Sequence, residues 1–380
     1  MAVVTGTRYT YTDTANNAID MSNTLAMISP WDVPLLSLVG KDSLSNSCTS
    51  VKHEWLEDTL RPLDTTLDTQ GEFTGTGAIS TSTVASGTGV YLYAGDIIQI
   101  ESELCLIGSV STDTLTIASG GRGYGGSSAA SHASGKAIAV VGTVAVQGAA
   151  IGPARTTTKS GLFNYTQIYN SSVTITSTQR STDKYTGPSN ELARLLDNEM
   201  KVAWQIWERG LLAGRKVAAS AAVAGAMDGI LVRLTSNAYA KAGAALTEDF
   251  ILQGMQDSWT AGGRIGTLVC GAFQKRAMNK FLDSMRETTR TDRIAGSVVD
   301  TYTSDFGVAD IVLDRNMPTD TVLLLDKAKI GFGPLQGNGL KAVRIADTTA
   351  LAETWQVVGE YTSETRNQAA HGKITGLAIT

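Results

Sequence analysis

The sequence predicts an α+β protein that carries an inserted all-β domain. Three observations lead there. Residues 188–214 hold one long apolar stripe at helical spacing. Residues 89–148 break into short apolar runs separated by Gly and Asp turns. Residues 247–326 alternate between helical and strand patterns. A chain of 380 residues allows two or three domains with ample core.

In chain order, residues 1–50 read as a polar arm. Asp13 or Thr14 can cap a short helix over 13–20, and Pro30 and Pro34 impose extended backbone before a short apolar turn. Leu35, Leu36, Leu38 and Val39 are the expected anchors of this arm on a larger body. From Val51 the pattern alternates, with Val51, His53 and Trp55 on one face and Lys52, Glu54 and Leu56 on the other, which predicts a strand to about Leu60. Residues 63–89 are rich in Thr, Gly and Asp and nearly lack large apolar side chains, so they read as a long loop. The expected mate is 156–182, where Tyr165, Ile168, Val173 and Ile175 favour a strand, and the two would form one long two-stranded arm. Between them, the runs 90–100, 104–110, 114–118 and 136–146 predict a small barrel or sandwich.

The helix over 188–214 has Leu192, Leu195, Leu196, Ala203, Ile206, Trp207 and Leu211 on its apolar side. Thr186 or Ser189 can cap it, Pro188 suits its first turn, and Gly210 or Gly214 can end it. Its polar side carries Arg194, Asp197, Asn198, Lys201, Glu208 and Arg209. A second helix fits 247–259, capped by Thr247 and buried through Ile251, Leu252, Met255 and Trp259. A third fits 272–285, buried through Phe273, Ala277 and Phe281. Strands are expected at 266–270, 298–303, 308–314, 321–326, 354–364 and 374–379, with a turn at 314–320.

Composition bounds the function. Charged residues make up 18% against about 25% in ordinary globular proteins, and the net charge is −5, which argues against a basic nucleic-acid reader. A chain poor in charge and rich in Gly, Thr and Ala has the composition of a surface covered by something else. No signal peptide and no apolar run of about 18 residues is visible, so a soluble protein is expected. Cys48, Cys105 and Cys270 are scattered and odd in number, which argues against a disulfide framework. With His53, His132 and His371 they form no metal-ligand spacing, so no metal and no cofactor are expected.

Signs of catalysis are equally thin. The Gly-rich stretches 120–126 and 331–339 lack the Lys-Ser/Thr of a phosphate loop and the context of a dinucleotide fingerprint, and turn geometry accounts for them. No GxSxG occurs, and a polar turn role is expected for His132 and His371. Glu101 with Glu103, and Glu54 with Glu57 and Asp58, could pair for acid–base work, but solvated acidic faces are commoner. Lys275, Arg276, Lys280, Arg286, Arg290 and Arg293 form a locally basic surface interleaved with Asp283, Glu287 and Asp292, which suits ion pairs or solvent better than DNA. No catalytic, cofactor-binding or metal-binding residue is therefore predicted, and the chain is not expected to be an enzyme.

The order of parts resembles the major capsid protein of tailed phages, the HK97-like fold. Ser29-Pro-Trp-Asp-Val-Pro-Leu-Leu-Ser-Leu-Val-Gly40 is similar to a segment of one branch of phage head proteins. So are His53-Glu-Trp-Leu-Glu-Asp-Thr-Leu60, Asn164-Tyr-Thr-Gln-Ile168, Phe306 to Pro318 and Asn367 to Gly376. The pattern Gly95-Asp-Ile-Ile, Glu103, Arg122-Gly-Tyr-Gly-Gly and His132 resembles a small β insertion in the E-loop of that branch.

The resemblance implies an N-terminal arm at 1–50, a first part of the E-loop at 51–88, an inserted β domain at 89–148 and an E-loop return strand at 149–185. It implies a spine helix of the peripheral domain at 186–224, an axial domain at 225–345 and peripheral C-terminal strands at 346–380. It further implies hexamers and pentamers of this chain in an icosahedral or prolate head around double-stranded DNA. The expected location is the virion, after synthesis in the bacterial cytoplasm. The implied partners are copies of itself, a portal protein and separate scaffolding or decoration proteins, with non-specific proximity to packaged DNA and no membrane or small-molecule substrate. Nothing singles out a Lys–Asn pair, so no covalent crosslink is expected. An encapsulin-like shell, or a tail or decoration protein, remains the alternative.

Overall fold

A computed structural model describes residues 32–68, 81–150, 152, 154–182, 191–284 (backbone only for 281–284), 301–345 and 351–379. The helix expected over 13–20, the caps Thr186 and Ser189, and Arg286, Arg290 and Arg293 lie outside the described residues. The chain divides into two compact units, one of residues 1–55 and 161–380, the other of 56–160.

The first unit holds a six-stranded sheet in the order Ala238–Ala244, Gly372–Leu377, Val322–Leu325, Thr267–Cys270, Gly307–Leu313, Thr301–Ser304. Its central strands Thr267–Cys270 and Val322–Leu325 are buried on both faces, as continuous apolar runs require. Leu268, Cys270, Val322 and Leu324 face the helices Glu248–Thr260 and Ala272–Ser284, in a core with Ile251, Met255 and Met278. Val269, Leu323 and Leu325 point the other way into a second core.

That second core is roofed by another sheet. Its 14-residue strand Ala352–Thr365 pairs along one edge with Gln167–Thr176, and along the other with Lys341–Ile345 and then Ile330–Pro334. The long helix Glu191–Ala213 packs here through Ala203, Trp207, Leu211 and Leu212. The ring centroids of Trp207 and Tyr361 lie 4.3 Å apart, and Phe332 stacks on Tyr361 at 5.1 Å. The short helix Pro34–Val39 adds Leu35 and Leu36, both fully buried, so this segment is anchored as its apolar residues predict. Pro34 opens that helix rather than extending the chain, because a first-turn amide needs no partner.

Packing shifts several expected faces. Ile206 and Trp259 are exposed, while Glu208 is fully buried. On helix Ala272–Ser284 the buried positions are Gln274 and Met278, one residue on from the expected stripe. Gln274 is tolerated because its amide donates to Thr319 O at 3.0 Å and Ala378 O at 2.9 Å. Thr247 precedes its helix without a side-chain capping bond. The stretch 331–339 is more than a turn, since Ile330–Pro334 is a buried strand. Gly333 there leaves room for Leu44: a β-carbon would come within 2.8 Å of the leucine side chain.

The second unit is a closed antiparallel barrel. Strands Asp64–Thr66, Ala137–Thr143, Asp96–Ile100, Glu103–Ser111, Thr114–Ile117 and Thr81–Thr83 follow in that order. The first and last are then joined by the Leu67–Val84 bridge and the bonds Asp68 N to Thr83 O and Ala85 N to Thr66 O. Closure removes both sheet edges. Inside lie Leu67, Val84, Leu92, Ile98, Ile100, Cys105, Ile107, Leu115, Ile117 and Ile138. Among the described residues the pairing expected between 63–89 and 156–182 is absent. The first stretch contributes barrel strands, and Gln167–Thr176 pairs with Ala352–Thr365 instead, where Tyr169, Val173 and Ile175 are buried. Lys52–Glu57 and Ser160–Tyr165, which carry the chain out of the first unit and back, pair with each other.

Candidate functional site: buried charge clusters and exposed apolar strands

Three ionic clusters stand out against the low overall charge. In the barrel, Glu103 is fully buried at the start of its strand. Arg122 grips it with Nε at 2.6 Å and Nη2 at 2.9 Å, while the amides of Gly123 and Ala130 each donate at 2.9 Å. His132 bridges Glu103 at 2.9 Å and Glu101 at 2.8 Å, and Lys136 meets Glu101 at 2.7 Å. Burial pushes Glu103 toward the neutral acid, but Arg122, the two amides and His132 outweigh it and hold the carboxyl far below its usual range. The sequence pairing of Glu101 with Glu103 thus becomes a clamp on the glycine-rich 119–135 loop.

In the first unit, Glu364 is fully buried near the end of strand Ala352–Thr365. It meets His53 Nε2 at 2.5 Å and Ser45 Oγ at 2.8 Å. Hydrogen bonding to Cys48 and then to Glu364 raises His53 to about 9. Burial opposes ionisation of Glu364, yet His53 and Ser45 leave its pKa lowered. The pair stitches the segment after the first helix onto the strand. The apolar-face placement of His53 and Trp55 is as the alternation predicts, with both buried and Lys52 and Glu54 exposed.

The third cluster was invisible in the sequence. Glu208 of the long helix and Asp314, just after strand Gly307–Leu313, are both fully buried and hydrogen-bond each other. Glu208 Oε1 accepts weakly from Leu35 N at 3.4 Å, and Asp314 Oδ1 accepts from Asn316 N at 2.8 Å. Burial first, then the Asp314 charge, raises Glu208 to about 8. Helical periodicity places Glu208 beside Trp207, but nothing in one dimension brings Asp314 to it.

Among the remaining candidates, Glu54 pairs with exposed Lys52, and Asp58 accepts from Thr157 Oγ1 at 3.3 Å. His371 is fully buried and lowered to about 4 by burial, its Nδ1 accepting from Asp326 N at 3.1 Å, which is the polar turn role expected. Cys48, Cys105 and Cys270 are buried free thiols, and burial raises Cys105 to about 12 and Cys270 to about 11. Among the described residues no group of three or more His, Cys, Asp or Glu is placed to hold a metal ion, and no helix is long and apolar enough to cross a membrane.

Each of these three clusters is therefore a brace, and unexplained chemistry lies elsewhere. Leu60 is 93% exposed, with Leu56 and Leu63 exposed beside it in sequence. Leu351 is 88% exposed, and strand Lys341–Ile345, paired on one edge only among the described residues, exposes Val343 and Ile345. Apolar side chains open to water mark a surface made for another chain.

A family model described as SU10 major capsid protein matches residues 4–378. The chain belongs to that family. It is a phage major capsid protein, a structural component of the virion that assembles with copies of itself. Comparison with curated proteins finds no match. Among solved structures, this capsid protein is similar to the capsid asymmetric unit of cyanophage A-1(L), at a TM-score of 0.55 and 10% identity over 97% of this chain and 99% of that one. It is similar as well to the capsid of a native GTA particle, at 0.53 and 8% identity over 98% and 99%. The holo-SrpI encapsulin complex of Synechococcus elongatus PCC 7942 matches 58% of this chain and 77% of that one, at 0.44 and 12% identity. The fold is HK97-like and α+β.

Proposed function

We propose that this capsid protein forms hexamers and pentamers that close into an icosahedral or prolate head around double-stranded DNA. The match to the capsid family over residues 4–378 carries the reading. In it, the compact unit 56–160 is the E-loop with its inserted β domain, and 1–50 is the N-terminal arm. The region 186–224 forms the spine of the peripheral domain, 225–345 the axial domain and 346–380 the peripheral C-terminal strands. The exposed Leu56, Leu60, Leu63 and Leu351 support this, since neighbouring copies would remove them from water at roughly 25 cal/mol per Å². The acidic balance suits a wall that does not grip a polyanion. A portal protein and separate scaffolding or decoration proteins complete the head, which is built in the bacterial cytoplasm, and the chain itself catalyses nothing.

Electron microscopy of the purified protein tests the reading. Angular closed shells are expected, whereas persistent monomers or open tubes overturn it. Native particles filled with DNA separate a phage head from a shell that packages protein.

A further inference from the structure

The barrel unit contains a polar cleft of about 240 Å³ that none of the three braces explains. Its walls include Arg61, Tyr93, Arg155, Thr156 and Thr158. The two arginines stand on either side of the chain's path, one near the entry to the barrel unit and one near its exit. Both lean on Tyr93, with guanidinium carbons 5.4 Å and 4.8 Å from the ring centroid.

Both arginines also share a single partner, the fully buried Asp96. Arg61 Nη1 donates to Asp96 Oδ2 at 3.0 Å and to Tyr91 O at 3.0 Å. Arg155 Nη1 donates to Asp96 Oδ1 at 2.9 Å and to Thr143 Oγ1 at 3.0 Å. Asp96 is fully committed, because Tyr93 N and Thr143 Oγ1 bond it as well, at 3.1 Å and 2.7 Å. At Asp96 two guanidiniums meet one carboxylate, so that cluster carries one positive charge in excess; the nearest further carboxylate, Asp58 at the rim, is engaged by Thr157 Oγ1 at 3.3 Å. Each arginine has spent only Nη1, and among the described residues the Nε and Nη2 donors of both are without partners. The hydroxyls of Thr156 and Thr158 likewise have no partner among the described residues.

We propose that this cleft is an oxyanion receptor that takes a carboxylate side chain from a second copy of the chain. One excess charge and a fork of planar donors match one carboxylate. A DNA phosphate is a poorer fit, since binding to a phosphate backbone rests on many cations in a row and this cleft offers the excess of one. Carboxylates are the abundant anion on a neighbouring copy, with 36 Asp and Glu against 31 Lys and Arg. The assignment rests on the chain's role as a self-assembling capsid subunit.

High-resolution electron cryomicroscopy of wild-type particles tests it. The expected result is an Asp or Glu of a neighbouring subunit within hydrogen-bond distance of Arg61 or Arg155. A cleft holding only water, an inorganic ion or a DNA phosphate overturns the site while leaving the capsid reading intact. Particles that never form overturn both. As a second measurement, Thr158→Glu supplies the cleft with its own carboxylate without touching the arginines. It should lower particle yield about tenfold at fixed subunit concentration, the scale of one interfacial charge pair. Ser134→Glu, which adds the same charge on the exposed turn beyond His132, should leave yield within about twofold. Equal losses in the two variants overturn the proposal.

Discussion

Glu208→Gln should change how the subunit's stability responds to pH, and in a direction opposite to the usual carboxylate. Burial and the neighbouring Asp314 raise Glu208 from 4.5 to about 8. The folded chain therefore holds a proton that the unfolded chain has already released. Between about pH 4.5 and 8 the unfolded state binds fewer protons, so stability falls as pH rises through that window and is lowest above it. Three and a half pH units at about 1.4 kcal/mol each set a ceiling of about 5 kcal/mol. Sharing of the proton with Asp314 and local relaxation lower this to about 2–3 kcal/mol. Glutamine removes the Glu208 titration and offers an amide N–H to Asp314 in place of the shared proton. Urea unfolding followed by tryptophan fluorescence at pH 5, 7 and 8.5 reads the difference, with Trp204 and Trp207 beside the site. Wild type should lose about 2–3 kcal/mol more than the variant across that range. Parallel stability curves for the two proteins would refute the account of the pair.

Three further outcomes follow from the packing. Glu364→Ala leaves His53 and Ser45 without their acceptor and should cost about 3 kcal/mol near neutral pH, measured by the same unfolding. Because His53 is raised to about 9, the stability it contributes is full below about pH 6.5 and is lost as pH rises through 9 in wild type; the variant should show a smaller loss, since Cys48 still holds the imidazolium. Gly359→Ala puts a β-carbon 2.7 Å from the Trp207 ring and 3.1 Å from Leu340 Cα, and should cost about 2–3 kcal/mol, seen as a lowered urea midpoint at unchanged slope. Glu103→Ala removes the acceptor that gathers Arg122, Gly123, Ala130 and His132, so limited trypsin digestion should cut at Arg122 at least about tenfold faster than in wild type.

The sequence by itself determined the elements whose pattern is local. Apolar periodicity marked the long helix around Trp207, and alternation put His53 and Trp55 on the inner face of their strand. Short runs between turn residues marked the barrel, and Leu35 and Leu36 marked the anchor of the N-terminal segment. These follow from side-chain spacing alone, because a 3.6-residue or 2-residue period fixes a face without reference to the rest of the chain. Partnership was decided only in three dimensions. Periodicity gave no reason for Gln167–Thr176 to leave 63–89 for Ala352–Thr365, or for Asp64–Thr66 and Thr81–Thr83 to close a barrel. Nor could it bring Glu208 to Asp314, Glu364 to His53, or Arg61 and Arg155 to one aspartate. Each such pairing joins residues far apart in sequence, and a buried charge is tolerated only where the fold delivers its partner. The low charge was legible at once as a surface waiting for cover, while the tertiary structure showed which apolar side chains stay open and set the charges that brace each unit apart from the arginine pair at Asp96.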